Sequence, residues 1–447
     1  MNNYIRNGLR DGKFALGIWG LGYIGCSTCA YFAKQRIHSL GTDISIQRVI
    51  DINDGKEPIP NLERWLGFRI KPLVKRGFIS AVTDWQKLIH PFIPVHFIAV
   101  QTEKNDKPYN KYIIDVISKL SNFKKIKMKY PPLVIIESTL TPNQVDNMII
   151  PLFNKRGLKV GKDILLGVAP RRDWLGSTGK SLVNIPRVIG ATTNRAAELM
   201  YSVLSLVCKH LVMARNHRDA EIVKSVENAY RLLNISLANQ LTLAYPDVDI
   251  AEILKLVGTK WNIETYYPSF GAGGYCIPIA PLYVLKGAKH PERLSLLKQS
   301  LLINLEQPIK VARSIIKRGA KNVGVLGICY KGDIPIWNLS PAVSIIKILQ
   351  KKKIEVKVYD PYFSCSDFVK IGISFDIETF KFPDGLVEFD TLLIISDHSQ
   401  FKLKNIRKIK KYLKKCRLIL DNTGIWSNFN FGKNIEYFRA GNKNWIK

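Results

Sequence analysis

Over the first 215 residues, short apolar runs alternate with stretches of helical periodicity. Residues 14–19, 95–100, 133–137, 164–168 and 211–214 each read as a buried strand. Strands interleaved with amphipathic helices predict a parallel sheet with right-handed crossovers. From about Asp219 the pattern changes. Residues 220–244 carry apolar positions at helical spacing with no Gly or Pro, which predicts one long helix. Helical segments continue to about Arg318, interrupted over 268–281. Strand patterns then return at 323–326, 356–359, 392–395 and 418–421. The predicted fold class is α/β: two Rossmann-like parallel-sheet domains joined by a helical middle domain with a long central helix. The expected boundaries are 1–215, 216–318 and 319–447.

Composition narrows the class. A chain of 447 residues with 46% hydrophobic and 23% charged residues can bury the cores of two or three domains, which excludes disorder as its main state. No apolar run reaches the length of a membrane span, and residues 1–13 lack the apolar stretch of a signal peptide, so a cytoplasmic location is expected. Lys plus Arg number 67 against 36 Asp plus Glu, a formal charge of +31. Such a field attracts phosphate esters, polyanions and anionic membranes; it also fits plain solvated basic faces. The densest run, 402–415, places Leu403, Ile406, Ile409 and Leu413 at helical spacing. That predicts a helix with one buried stripe and a basic outer face rather than a surface that reads nucleic acid. Seven scattered cysteines do not form a disulfide framework. Cys26 and Cys29 read as packing residues, and the seven histidines show no metal-ligand spacing.

The chemistry begins after the first strand. Gly20, Gly22 and Gly25 form GxGxxG between a strand and a helix, the arrangement that sets a pyrophosphate on a helix N-terminus. Asp43, at the tip of the next strand, is placed to accept ribose hydroxyls and to favour NAD over NADP. Thr102 and Thr139 end later strands on the same edge, as nicotinamide or ribose contacts or as helix N-caps. The segment 268–278 has three glycines in four residues before Cys276, which reads either as a nucleophile on a ligand-hugging loop or as a buried thiol in a tight turn.

With these motifs in order, the sequence resembles the UDP-glucose/GDP-mannose dehydrogenases, the nucleotide-sugar 6-dehydrogenases, from about residue 14 to 426. The match runs through Gly20 to Gly25 and Asp43, Glu137-Ser-Thr139, the helix AEIVKSVENAYRLLNISLANQL at 220–241 and the Cys276 loop. Val325-Leu-Gly-Ile-Cys-Tyr330-Lys331, Tyr359-Asp-Pro361 and Ser396-Asp-His398 complete it. The Cys-Ile-Pro loop and Arg231 most resemble the branch acting on UDP-N-acetylhexosamines. The resemblance implies oxidation of a sugar C6 alcohol to a carboxylate with two NAD, through a thioester on Cys276. Lys224 and Asn228 would stabilise the oxyanion. Tyr23 and Ile24 would join the glycines in holding NAD. Arg171, Arg172, Arg231, Phe270, Gly271, Gly273, Tyr330 and Lys331 would hold a UDP-linked sugar. A homodimer or higher homo-oligomer through the central helix is implied, with no nucleic acid partner.

Three positions depart from the family pattern. Arg171 stands where an acid follows proline, Ala280 where the loop ends in an acid, and Asn338 where the third domain opens with arginine; Tyr275 also replaces a frequent histidine. Losing two acids removes the obvious general base and leaves Asp173 as a possible substitute. Alternatives are an enzyme that stops at the aldehyde or takes another sugar, or a silent nucleotide-sugar-binding subunit. A polyanion binder rests on charge alone.

Overall fold

The computed structural model describes residues 1–173, 180–370 and 379–446. They pack as two compact units: Met1–Glu227 with Leu282–Lys289, and Asn228–Pro281 with His290–Lys447.

The first unit is built on β1 (Ala15–Trp19), β2 (His38–Thr42), β3 (Ile79–Val82) and β4 (Val95–Ile98), a small hairpin of β5 (Glu103–Lys104) and β6 (Lys107–Pro108), then β7 (Leu133–Ile136), β8 (Leu165–Val168), β9 (Arg187–Ala191) and β10 (Leu211–Met213). Eight of these form one sheet in the order β10-β9-β8-β7-β4-β1-β2-β3. Successive residues face opposite sides. Leu16 and Ile18 enter one apolar layer with Val95, Phe97 and Leu133, while Trp19, Ile98, Val134 and Ile136 enter the other. Both faces are covered, which is why the central strands read as unbroken apolar runs.

The predicted parallel sheet holds with one exception: β9 runs antiparallel to β8. An antiparallel neighbour needs no return crossover. The stretch 211–214, expected as a buried strand, is the edge strand β10, with Val212 and Met213 about half exposed. The N-terminal stretch, polar overall, forms the helix Asn2–Arg10. It buries Ile5 and Leu9, four apart on one face, and Arg6 Nη1 donates to Ser202 O at 2.8 Å.

In the second unit β11 (Asn322–Leu326), β12 (Glu355–Tyr359), β13 (Thr391–Ile394), β14 (Leu418–Asp421) and β15 (Glu436–Arg439) make an all-parallel sheet in the order β12-β11-β13-β14-β15. The helix Ser295–Lys317 carries Pro308 in its interior, buried. The run 402–415 buries Ile409 and Leu413 as expected but is helical only over Arg407–Lys410. Lysines and arginines fall three and four apart throughout the run, and that repulsion opposes a continuous helix. The long helix His217–Ala244 is unbroken and begins three residues before the predicted start. No helix among the described residues is long and apolar enough to cross a membrane. Five thiols, Cys26, Cys29, Cys208, Cys329 and Cys416, are buried. Cys276 and Cys365 are exposed, and none is paired. Cys26 and Cys29 pack in the core of the first unit.

Candidate active site

In the first unit the chain builds outward from β1 in both directions, through β2 on one side and β4 on the other. The carboxyl ends of β1 and β4 therefore flank a crevice, the usual place for a ligand in such a sheet. Gly20 turns the chain there at φ +90°, where a side chain would be strained. A Cβ on Gly25 would sit 1.8 Å from Gly20 O, so only glycine lets the helix Tyr23–Lys34 start this close to the turn. A Cβ on Gly22 would meet nothing, so this position faces open space. The helix's first turn carries no acidic residue, and its N-cap, Gly22, brings no side chain to its N–H groups. Tyr23 OH donates to Pro60 O at 2.8 Å, and Ile24 packs against the core.

Asp43 sits beyond β2, with Oδ2 accepting from Leu21 N–H at 2.7 Å and from Arg48 Nη1 at 3.0 Å. It ties the glycine turn to the second strand, and an adjacent cation supports its charge. Thr102 and Thr139 are joined directly: Thr102 Oγ1 donates to Thr139 O at 2.6 Å. Thr139 is not a helix cap. The helical segment beginning at Val145 is capped by Glu221 of the long helix, which accepts from the N–H groups of Asn143 and Val145, both at 3.0 Å.

Arg171 is 2% exposed. Its guanidinium donates to both carboxylate oxygens of Asp173, to Thr28 Oγ1 at 2.7 Å and to Ser27 Oγ at 2.9 Å, and it lies 3.8 Å from Glu137. Glu137 in turn binds Arg187 and accepts from Thr28 at 2.7 Å. Burial alone would raise the Asp173 carboxyl, but the Arg171 charge and hydrogen bonds, with the Arg187 charge, together outweigh it and hold Asp173 below the ordinary carboxylate value. The expected substrate contact at Arg171 is thus corrected by its surroundings: every side of this guanidinium is turned into the domain, bracing the glycine-loop helix. Arg172 donates to Pro186 O at 2.9 Å and pairs with Glu227 while staying half-buried. Lys224 lies on the long helix within electrostatic reach of Glu103.

In the second unit the loop before Cys276 is held by side-chain amides. Ser269 N–H donates to Asn239 at 2.8 Å, Phe270 N–H to Asn422 at 2.7 Å and Ala272 N–H to Asn304 at 2.7 Å. Gly273 and Gly274 lie against Tyr330: a Cβ on either would come within 2.9 Å of it. The Gly274 N–H donates to Asn338 O at 2.8 Å, so this departure position serves the loop through its backbone. Gly271 lies beside Pro308. Cys276 and Tyr275 are exposed, whereas Ala280 is buried. Phe270, expected to touch substrate, is fully buried with its ring stacked on Trp445 at 5.7 Å. Only its backbone is left for a ligand. Asn228 is buried, and its amide oxygen accepts from Arg231 at 3.3 Å.

The loop of Tyr330 and Lys331 is clamped from both ends. Asp360 Oδ2 accepts from the Ile328 N–H at 2.7 Å, and His398 Nδ1 accepts from the Asp333 N–H at 2.9 Å. Cys329, Asp360 and His398 are buried with their ligand atoms within 4.8 Å, a trio hidden from sequence spacing. With Nδ1 accepting, the imidazole proton sits on Nε2 and faces Asp360 at 3.3 Å, so that nitrogen offers no lone pair to a metal. Sequence reading missed Asn304 and Asn422, which belong to no motif, and gave Asn239 no role although it lies in the matched helix at 220–241.

The chain matches three segments described for one family: the NAD binding domain over residues 15–207, the central domain over 218–306 and the UDP binding domain over 324–428. It is 30% identical to a UDP-N-acetyl-D-mannosamine dehydrogenase of Methanococcus aeolicus, over 96% of this chain and 95% of that protein. It is 31% identical to the protein of the same name from Pyrococcus horikoshii, over 92% and 95%. The solved structure of a UDP-D-ManNAc dehydrogenase from Pyrococcus horikoshii superimposes with a TM-score of 0.83 at 28% identity, covering 96% of this chain and all of that one. The open position at Gly22 and the carboxylate at Asp43 fit the cofactor that the first segment names. The chain belongs to the UDP-glucose/GDP-mannose dehydrogenase family and is an NAD-dependent dehydrogenase of nucleotide sugars.

Proposed function

We propose that the protein oxidises the C6 alcohol of a UDP-N-acetylhexosamine to the uronate, with UDP-N-acetyl-D-mannosamine the first candidate. The observation that carries this is an exposed thiol, Cys276, on a loop whose backbone is fixed by Asn239, Asn304 and Asn422. A nucleophile held on a rigid loop is what thiohemiacetal and thioester chemistry needs. NAD supplies the hydride acceptor. Cys276 Sγ adds to the C6 aldehyde, and the Lys224 ammonium and Asn228 amide stabilise the oxyanion that forms. Gly271, Gly273, Tyr330, Lys331, Arg172 and Arg231 are the proposed substrate contacts. Gly20, Gly22, Tyr23, Ile24, Gly25, Asp43, Thr102 and Thr139 are the proposed cofactor contacts.

We assign cofactor binding to 1–215, association to 216–318 and nucleotide binding to 319–447, in a cytoplasmic protein. Tyr230, Leu237, Leu256, Trp261, Leu302 and Leu305 are more than half exposed in the second unit, an apolar surface suited to a second copy. Sedimentation should give a dimer or larger; a monomer at micromolar concentration rejects that assignment.

The test of function is a panel of UDP- and GDP-sugars with NAD. NADH per sugar and product mass are recorded, with the intact protein mass during turnover. A UDP-N-acetylhexosamine should give two NADH and a uronate, and Cys276→Ser should yield no uronate. No NADH with any UDP-sugar rejects the reading. One NADH with free aldehyde favours the truncated reaction.

A further inference from the structure

An alcohol releases hydride only when its proton has somewhere to go. The dehydrogenase reading, on which this inference rests, leaves that need unmet. Arg171 is turned into the core with Asp173, and Ala280 has no polar side-chain atom. A different acid ends the loop that borders the crevice. Residues 99–103 leave the carboxyl end of β4, across the crevice from the Gly20 turn. A Cβ on Gly20 would come 2.9 Å from Ala99 O, so the two loops touch. The end of this loop is pinned. Thr102 Oγ1 donates to Thr139 O at 2.6 Å, Tyr283 OH donates to Thr102 O at 2.6 Å, and Glu103 pairs with Pro108 in the hairpin of β5 and β6. Glu103 follows at once, half-buried, with its carboxyl in electrostatic reach of Lys224 and of the Tyr283 phenol.

We propose that Glu103 is the catalytic base of the first oxidation, taking the proton of the substrate's C6 hydroxyl. The O–H bond breaks and its electron pair becomes the second C–O bond of the aldehyde. The C–H pair leaves C6 as hydride for the oxidised cofactor of the family reaction. The proton stays on Glu103 and passes to solvent from its accessible side.

Two features favour Glu103 over its neighbours. Burial pushes its carboxyl above the ordinary value, and hydrogen bonds from Gln101 and Thr102 and the Lys224 charge pull it part of the way back, which suits a base that must both take and release a proton. Tyr283 is pushed well up by burial, and the Glu103 charge adds to this, so the phenol stays protonated.

The experiment compares wild type, Glu103→Gln and Glu103→Asp in single turnovers with a UDP-N-acetylhexosamine and NAD from pH 5 to 9. Fluorescence titration checks NAD affinity in each variant. Glu103→Gln should keep NAD affinity within about threefold and lose about 10²–10⁴-fold in the rate of NADH formation. The rise of rate with pH on the acid side should vanish with it, and Glu103→Asp should recover part of both. Carbon-13 carboxyl spectra, taken as differences against Glu103→Gln, give a readout without substrate. Lys224→Met should move the Glu103 midpoint upward, because a cation that favours the carboxylate is gone. A Glu103→Gln enzyme with wild-type rate and pH profile overturns the proposal and leaves the function intact, as does an unmoved Glu103 midpoint in Lys224→Met. Absence of NADH from wild type overturns the function itself, and this inference with it.

Discussion

Arg171 shows how one residue is read differently from the chain and from its surroundings. In the sequence it is a cation where the family resemblance implies an acid, which suggests a rebuilt substrate site. In the folded domain its charge is answered by Asp173, Glu137 and two hydroxyls of the cofactor helix. The sequence shows the reversal but not its compensation, because Thr28 and Glu137 reach it only through the sheet. Phe270 is a similar case: the family resemblance implies a substrate contact, yet its ring stacks on Trp445, near the far end of the chain. The tight glycine turn after β1 was legible because its geometry is local. Arg171→Met should cost about 3–5 kcal/mol, since it leaves Asp173 and Glu137 buried with too little positive charge. Arg171→Glu should be worse, and adding Asp173→Arg should recover part of the loss, a coupling readable by urea denaturation of wild type, Arg171→Glu, Asp173→Arg and the double variant. Equal stability of wild type and Arg171→Met would remove the bracing role.

At the level of elements, most strands found in the sequence are buried on both faces; β10 and β12, found as well, are partly exposed. β3 and β15 were missed because half-exposed or polar strands leave no continuous apolar run, and the four residues of β15 are Glu-Tyr-Phe-Arg; β9 was missed although nearly all of it is buried. The two sheets also repeat one device. Gly20 after β1 and Gly327 after β11 turn at φ +90° and +85°, and the acid after the next strand, Asp43 or Asp360, accepts the following N–H at 2.7 Å. The long helix contributes a second device through Glu221, which caps the segment at Val145 from outside. Burial pushes the Glu221 carboxyl up from 4.5 to about 7, with the backbone N–H groups offsetting part of the rise. The folded protein therefore holds this proton more tightly than the unfolded chain does. Between roughly pH 4.5 and 7 the native state has the extra proton, so Glu221's contribution to stability falls as pH rises through that window. Glu221→Gln should flatten this decline by an amount on the order of 1–3 kcal/mol, measured as the difference in unfolding free energy between pH 5 and 8. Parallel pH profiles for the two proteins would show that Glu221 is not the titrating group.

For the whole molecule, the charge of +31 agrees with an anionic substrate but decides little, since most of it lies on solvated lysines such as those of 402–415. The distribution of sulfur decides more. Five of the seven thiols are shielded, and burial pushes Cys26 and Cys416 up to about 12, far from the reactive thiolate. Only Cys276 and Cys365 meet solvent. A brief treatment of the native protein with a small alkylating agent should therefore stop at two adducts, and a Cys365→Ser protein at one; further adducts would mean that the cores open on the timescale of the reagent. The single-adduct protein turns the proposed nucleophile into its own census. The fraction of chains alkylated can be plotted against the turnover that remains, and a straight line to zero counts working sites by mass, independently of which sugar is supplied.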